Sequence, residues 1–132
     1  SYSNEINVSS EKLEVDRANN MSTFYGDVYV LEKDIEIWAD KLTIKFNYDN
    51  NEVEELLAEN NVRIIREGIT ATGQKGIYNP SLNEVKMFQN VQIVENNNII
   101  NCDELILDIK NSISIMRGKN NKRVEAQIIS DK

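Results

Sequence analysis

Histidine is absent from this 132-residue chain. With it go the commonest general base, the commonest metal ligand and the usual partner of a catalytic serine. A single cysteine, Cys102, permits no internal disulfide and no thiolate metal cluster, and inside an apolar pattern it is expected to be a small buried hydrophobe. The one proline, Pro80, falls in the turn Asn79-Pro80-Ser81, where no sheet ladder needs its missing N–H. Five glycines, at 26, 68, 73, 76 and 118, form no phosphate-cradling loop between a strand and a helix. No apolar run approaches the roughly 18 residues of a membrane span. No basic-then-apolar leader stands at the start, as expected of a mature or trimmed form. Cations are the scarcer charge, 15 Lys and Arg against 22 Asp and Glu, and the formal net charge of −7 repels a polyphosphate backbone. Nucleic acid is therefore not an expected partner.

What remains is aliphatic. The apolar fraction is 40% with only 7% aromatic residues, so Ile, Leu and Val dominate, the types that suit a pleated surface. Apolar and polar residues alternate in short runs along the whole chain. The first half has Ile6 and Val8, Leu13 and Val15, Val28 and Val30, Ile35 and Ile37, then Leu42, Ile44 and Phe46. The second has Val62 and Ile64, Ile69 and Ala71, Val85 and Met87, Val91 and Ile93, then Leu105, Leu107 and Ile109, Ile113 and Ile115, and Val124, Ala126 and Ile128. This two-residue period predicts half-buried strands. Clusters rich in Asn separate the runs, as at 17–20, 48–51, 59–61, 95–98 and 119–121. The best helical stretch, NEVEELLAE at 51–59, is rich in helix formers, yet its Val53, Leu56 and Leu57 suit a strand equally. The expectation is one all-β domain over residues 1–132.

A repeat organises these strands. GDVYV at 26–30, NNVRI at 60–64 and QNVQI at 89–93 superpose, and each leads through a turn into a second strand. Val28 to Leu42, Val62 to Gly76 and Val91 to Leu105 are each 14 positions apart. The units end alike too, in ADKL at 39–42, GQKG at 73–76 and CDEL at 102–105. A constant offset with matched apolar phase implies stacked hairpins that present one apolar side in one direction; loose repetition of hairpins in any all-β protein is the alternative.

Few residues invite a chemical role. Gly73 and Gly76 form a GxxG pattern, but equivalent copies carry Ala39 and Leu42, which favours a bulge or tight packing over phosphate binding. Asp40 and Asp103 occupy equivalent places in two copies while the third has Gln74. They suit backbone hydrogen bonds beside turns better than a catalytic pair or a calcium site. Trp38 is open as a core cap, a ligand contact or an interface marker. Arg117, Lys119, Lys122 and Arg123 form the one strong cationic cluster, either a solvated turn or a basic rim for a phosphorylated head group.

INVSSEKLEV (6–15), STFYGDVYV (22–30), IEIWADKLTI (35–44), ITATGQKGIY (69–78), VKMFQNVQI (85–93) and NCDELILDI (101–109), with GKNNKRVEAQII at 118–129, resemble the OstA-like domain of the periplasmic lipopolysaccharide-transport proteins. The resemblance covers nearly the whole chain and is strongest to the bridge member of that family. It implies an open, taco-like β-jellyroll whose strands enclose an apolar trough, with no catalytic residues, no metal and no cofactor. The implied function is to bind lipopolysaccharide by its acyl chains and carry it between inner and outer membranes, driven by an ATP-dependent extractor. On the same grounds the lipid contacts fall on Ile6 and Val8 of the first strand and on Leu42, Ile44 and Phe46 of a long strand. Alternation alone adds Val15, Phe24, Val28, Val30, Ile35, Ile37, Val62, Ile64, Val85, Met87, Val91, Ile93, Leu105, Leu107, Ile113 and Ile115 as trough-lining candidates. Where the family's bridge protein carries a cation this chain has Phe46.

The implied partners are lipopolysaccharide, LptC-like inner-membrane and LptD-like outer-membrane proteins, and further copies of the chain. Copies would join head to tail through the edge strands at 6–9 and 123–129, because unpaired edges invite strand addition. The same domain also occurs as the soluble part of LptC and the N-terminal part of LptD. A structural β-solenoid with a dry core is the rival from a different class, and an enzyme is the reading least favoured by a chain without histidine.

Overall fold

The alternating runs fold into one ten-stranded antiparallel sheet in the computed structural model, which describes residues 5–131. In chain order the strands are β1 (Asn7–Ser9), β2 (Lys12–Asp16), β3 (Met21–Glu32), β4 (Ile35–Asn47), β5 (Glu52–Arg66), β6 (Ile69–Asn79), β7 (Glu84–Glu95), β8 (Asn98–Asp108), β9 (Ile113–Arg117) and β10 (Glu125–Gln127). β3 to β8 form a meander. The short β1 and β2 share the free side of β3, and β9 and β10 share that of β8. Residues 51–59 are strand, because pairing with β4 and β6 buries Leu56 and Ala58 and overrides local helix propensity. Pro80 opens a single 3₁₀ turn, Pro80–Leu82, between β6 and β7, where its fixed φ is useful and its missing N–H costs nothing.

Cross-strand register threads the apolar residues into continuous rows. One runs Leu13, Phe24, Leu42, Ala58, Gly76, Met87, Leu105, Met116. A second runs Val15, Ser22, Ile44, Leu56, Tyr78, Val85, Leu107, Ser114. The third, nearer the other strand ends, runs Val8, Val30, Ile37, Ile64, Ala71, Ile93, Ile100, Ala126. Paired residues share a face, so all three rows lie on the same side of the sheet.

Between the first and third rows every long strand breaks register: at Tyr25/Val28, Trp38/Lys41, Glu59/Val62, Thr72/Lys75 and Phe88/Val91. At alternate strands the break carries two successive residues with positive φ: Gly26 and Asp27, Asn60 and Asn61, Gln89 and Asn90. These are the GD, NN and QN pairs that open the sequence repeats. The repeat thus encodes a corner, at residue types that tolerate the left-handed region, and the similar segments at 39–42, 73–76 and 102–105 lie on the neighbouring strands where the corner is answered.

Because the corners align, the sheet creases along one line and its two leaves close face to face. Leu42 and Met87 are 0% exposed and Val28, Leu56, Val62 and Val91 are 1% exposed. A lone flat sheet cannot achieve this. Gly76 permits the closure, since a Cβ there would stand 3.2 Å from Val62 Cγ1. Outside, a polar row runs Lys12, Tyr25, Lys41, Glu59, Lys75, Phe88, Glu104, Arg117, laced by the pairs Lys41 to Glu59 at 4.0 Å and Arg117 to Glu104 at 3.1 Å.

Asn90→Val places a β-branched residue at a corner whose φ is 54°. It is expected to lower unfolding stability in urea by about 1–2 kcal/mol, whereas Asn90→Gly is expected to change it by a few tenths; equal effects of the two would contradict the corner assignment.

Candidate functional site

The leaves do not close uniformly. Towards the first strands Val30, Ile37, Leu42, Ile44 and Leu56, none more than 4% exposed, fill the space between them. Towards the last strands the leaves stand apart around a cavity of about 350 Å³, inside the ~300–1,000 Å³ range of small-molecule clefts. Ile64, Ile69, Ala71, Ile93 and Ile100 wall it from one leaf, and Val85, Met87, Leu105, Leu107 and Met116 from the other. Arg66, Glu67, Glu95 and Asn98 line one rim, Ser112 and Ser114 lie on β9 and just before it, and Ile128 stands beyond β10.

Six of the expected lining residues therefore wall this cavity, Ile64, Val85, Met87, Ile93, Leu105 and Leu107, although Met87 itself is 0% exposed. Val28, Val30, Ile35, Ile37, Leu42, Ile44, Val62 and Val91 belong to the closed core. Ile6, Val8, Phe24 and Phe46 pack against its margin, with the Phe46 ring stacked on Tyr48 at 5.8 Å. Val15 and Leu13 point inward from β2 but remain 51% exposed, since no strand lies beyond them.

Ile113 and Ile115 must be corrected. β9 pairs Met116 with Leu105 and Ser114 with Leu107, so the inward residues are Ser114 and Met116, while Ile113 and Ile115 face outward at 56% and 45% exposure. The preceding turn sets this register: the Asp108 carboxylate accepts hydrogen bonds from Asn111 N at 3.1 Å and Nδ2 at 2.8 Å, and Ser112 takes a φ of 55°. Those two bonds also hold the Asp108 carboxyl below its ordinary pKa. An alternating apolar pattern in an edge strand has two parities, and Ile-Ser-Ile-Met favours the wrong one. Ile69, Ala71 and Ile128 did stand in alternating runs of the sequence, whereas Ile100 and Met116 carried no distinguishing signal.

The basic cluster is also not a rim of this cavity. Arg117 and Lys119 sit on the outer face, where both bind Glu104, at 3.1 and 3.5 Å, and Lys119 Nζ lies 5.4 Å from the Phe88 ring centroid. Lys122 and Arg123 are exposed along outer grooves with Asn121, Gln92 and Asp103. The cation that does line the cavity is Arg66, already facing Asp34 at 3.4 Å and Glu67 at 3.3 Å.

The remaining candidates have structural employment. Asp103 accepts a hydrogen bond from Lys119 N at 3.0 Å and Asp40 from Asn61 Nδ2 at 2.8 Å. Gly73 and Gly76 are interior close-packing points. Trp38 lies outside, its ring against Tyr29 and under the Arg63 guanidinium at 4.2 Å. Cys102 is buried, and burial pushes its thiol pKa up, away from reactivity.

One interior group has no such partner. Glu32 is 2% exposed, and neither carboxylate oxygen accepts a hydrogen bond among the described residues. It faces the hydroxyl of Tyr78, which reaches it from the other leaf; burial first, and Glu32 second, raise the Tyr78 pKa. The raised value gives Tyr78 a stabilising effect that is complete below the ordinary tyrosine pKa of about 10 and is lost as pH rises beyond it. Unfolding stability is expected to fall above pH 10, and Tyr78→Phe to flatten that fall; an identical alkaline slope in the variant would contradict the interleaf contact.

Over residues 7–113 the chain matches the sequence model of a family described as LptA/(LptD N-terminal domain) LPS transport protein. No curated protein matches it by sequence. Among solved structures it is similar to LptH of Pseudomonas aeruginosa, described as the LptA-homologous periplasmic component of the lipopolysaccharide transport device. The two superpose with a TM-score of 0.84 over 96% of each chain at 16% identity, a likeness of fold.

Proposed function

The chain belongs to the family of LptA and LptD N-terminal lipopolysaccharide-transport proteins, and on that footing we propose that it holds lipopolysaccharide by its acyl chains and bridges the two membranes across the periplasm. The observation that carries this is the cavity between the leaves, walled by aliphatic side chains of both. Each methylene moved from water into such a wall contributes about 0.8 kcal/mol. That attraction is non-directional, so cargo can enter and leave without a reaction, and the site needs no catalytic group.

The rim refines how the head group is treated. Arg66 already faces two carboxylates, and Glu95 stands on the same wall, so the phosphates gain little there and remain in water outside the trough. The chains carry the affinity.

Both ends of the sheet expose unpaired backbone, on β1 and β2 and on β9 and β10. These edges support head-to-tail assembly and docking to LptC-like and LptD-like proteins by strand addition. The matched family spans both LptA and the N-terminal domain of LptD, which keeps a second assignment in play. A membrane anchor or a long barrel domain in the full gene would move this chain to another component of the same pathway.

The orientation of β9 provides the test. A photo-reactive side chain at Met116 is expected to form an adduct with lipopolysaccharide, and the same probe at Ile115 to form none. Adducts at Ile115 alone, or at neither position, would contradict a lipid held between the leaves.

A further inference from the structure

The outer face of β6 to β9 carries a run of apolar residues. Ile115 and Ile113 point outward from β9 at 45% and 56% exposure. Register places Ile106 of β8 beside Ile115, then Lys86 of β7 and Ile77 of β6. In the adjacent outer row Phe88 pairs with Lys75 and stands diagonal to Ile77, within side-chain reach. These residues lie on the opposite face from the cavity and line none of it. Apolar surface gathered in this way on a folded domain marks a contact surface.

One end of the patch is a cleft. Ile77 and Phe88 form its floor, and Lys75, Lys119 and Lys122 stand around it against a single carboxylate, Asp103, among its described lining residues. The turn that carries two of these lysines is held in one shape. Asp103 accepts a hydrogen bond from Lys119 N at 3.0 Å, Lys122 N donates to Lys119 O at 2.9 Å, and Asn120 and Asn121 take φ values of 52° and 66°. Gly118 lets the turn close, since a Cβ there would collide with the Lys122 carbonyl. Lys119 Nζ lies 5.4 Å from the Phe88 ring centroid and shares Glu104 with Arg117. Lys75 and Lys122 have no ion-pair partner among the described residues. In a chain of net charge −7 this is a positive concavity with an apolar floor, which draws anions towards it.

We propose that this face docks an acidic segment of a partner protein, with an apolar side chain of the segment on Ile77 and Phe88 and its carboxylates on Lys75 and Lys122. Ile106 and Ile115 beside the cleft receive the segment's next apolar residue. An anionic membrane surface fits less well. Asp103 and Glu104 share the face, and Glu84 and Asp108 stand in the row of Ile113, so a flat anionic layer meets carboxylates as well as lysines. A peptide sets its charges against the lysines alone. The site does not rest on the lipid reading, and being on the other face of the sheet it leaves the interior free for cargo while the partner is engaged.

The test is a titration of isotopically labelled protein with the synthetic peptide Glu-Asp-Glu-Leu-Glu-Asp-Glu, followed by amide chemical shifts. Shifts are expected at Ile77, Phe88 and Lys119. Lys75→Glu combined with Lys122→Glu should weaken binding by about tenfold or more, while Lys75→Arg combined with Lys122→Arg should retain it. Serine in place of the peptide's leucine should weaken binding by about tenfold. No shift at these residues with the peptide at millimolar concentration, equal binding by the charge-reversed and charge-retaining proteins, or a stronger response to phosphatidylglycerol vesicles than to the peptide would overturn the proposal. None of these results bears on lipopolysaccharide adducts at Met116, which test the lipid reading by themselves.

Discussion

A single sheet has no second layer to cover its apolar face, so everything in this structure depends on bending that sheet onto itself. The bend is made by backbone corners placed at one level in successive strands, where Gly26 and Asp27, Asn60 and Asn61, and Gln89 and Asn90 take left-handed conformations. Left-handed backbone costs most residues ~1–2 kcal/mol each, and glycine and asparagine bear it most readily. The cost is offset by burial: a Leu or Met taken from water into the core contributes about 1.5–3 kcal/mol, and Leu42, Leu56 and Met87 are all but sealed. Without aligned corners the three apolar rows would face solvent.

The repeat was legible in the chain itself but not its role as a corner: residues 59–61 read as a turn between two strands, whereas Asn60 and Asn61 bend one continuous strand, β5. The repeated GD, NN and QN, each followed by an apolar pair, marked both the fold class and its period, and the alternating runs became strands almost throughout. Two more features were not legible. Parity in an edge strand depends on the turn before it, so Ile113 and Ile115 looked like lining residues although Asp108 and Asn111 set the register that turns them outward. Alternation also cannot tell a filled interior from an open one. Leu42 and Leu105 follow the same rule, yet one is locked in the closed part and the other borders the cavity, because the spacing of the leaves arises from the whole sheet's twist. The charge of Arg117 and Lys119 was equally misleading, since their carboxylate partner Glu104 lies 13 or more positions away in sequence.

The division into a closed and an open part bears directly on the proposed carrier role. A uniformly open trough would be a passive conduit, whereas here the first-strand half is filled by its own side chains and the last-strand half holds a cavity of about 350 Å³. Glu32 and Tyr78 meet between the leaves in the buried region. The Tyr78 hydroxyl reaches the Glu32 carboxylate there and ties one leaf to the other, so opening the closed half would mean parting that contact. The lipid capture proposed for the open half requires no such separation.

Intermolecular nuclear Overhauser effects between the acyl chains of bound lipopolysaccharide and the methyl groups of the protein address the central claim most directly. The account predicts cross-peaks to Ile100, Leu107 and Met116, which line the cavity and are only partly buried, and none to Leu42 or Ile44. Cross-peaks of equal strength at Leu42 and Ile44, or confined to Ile113 and Ile115, would contradict it.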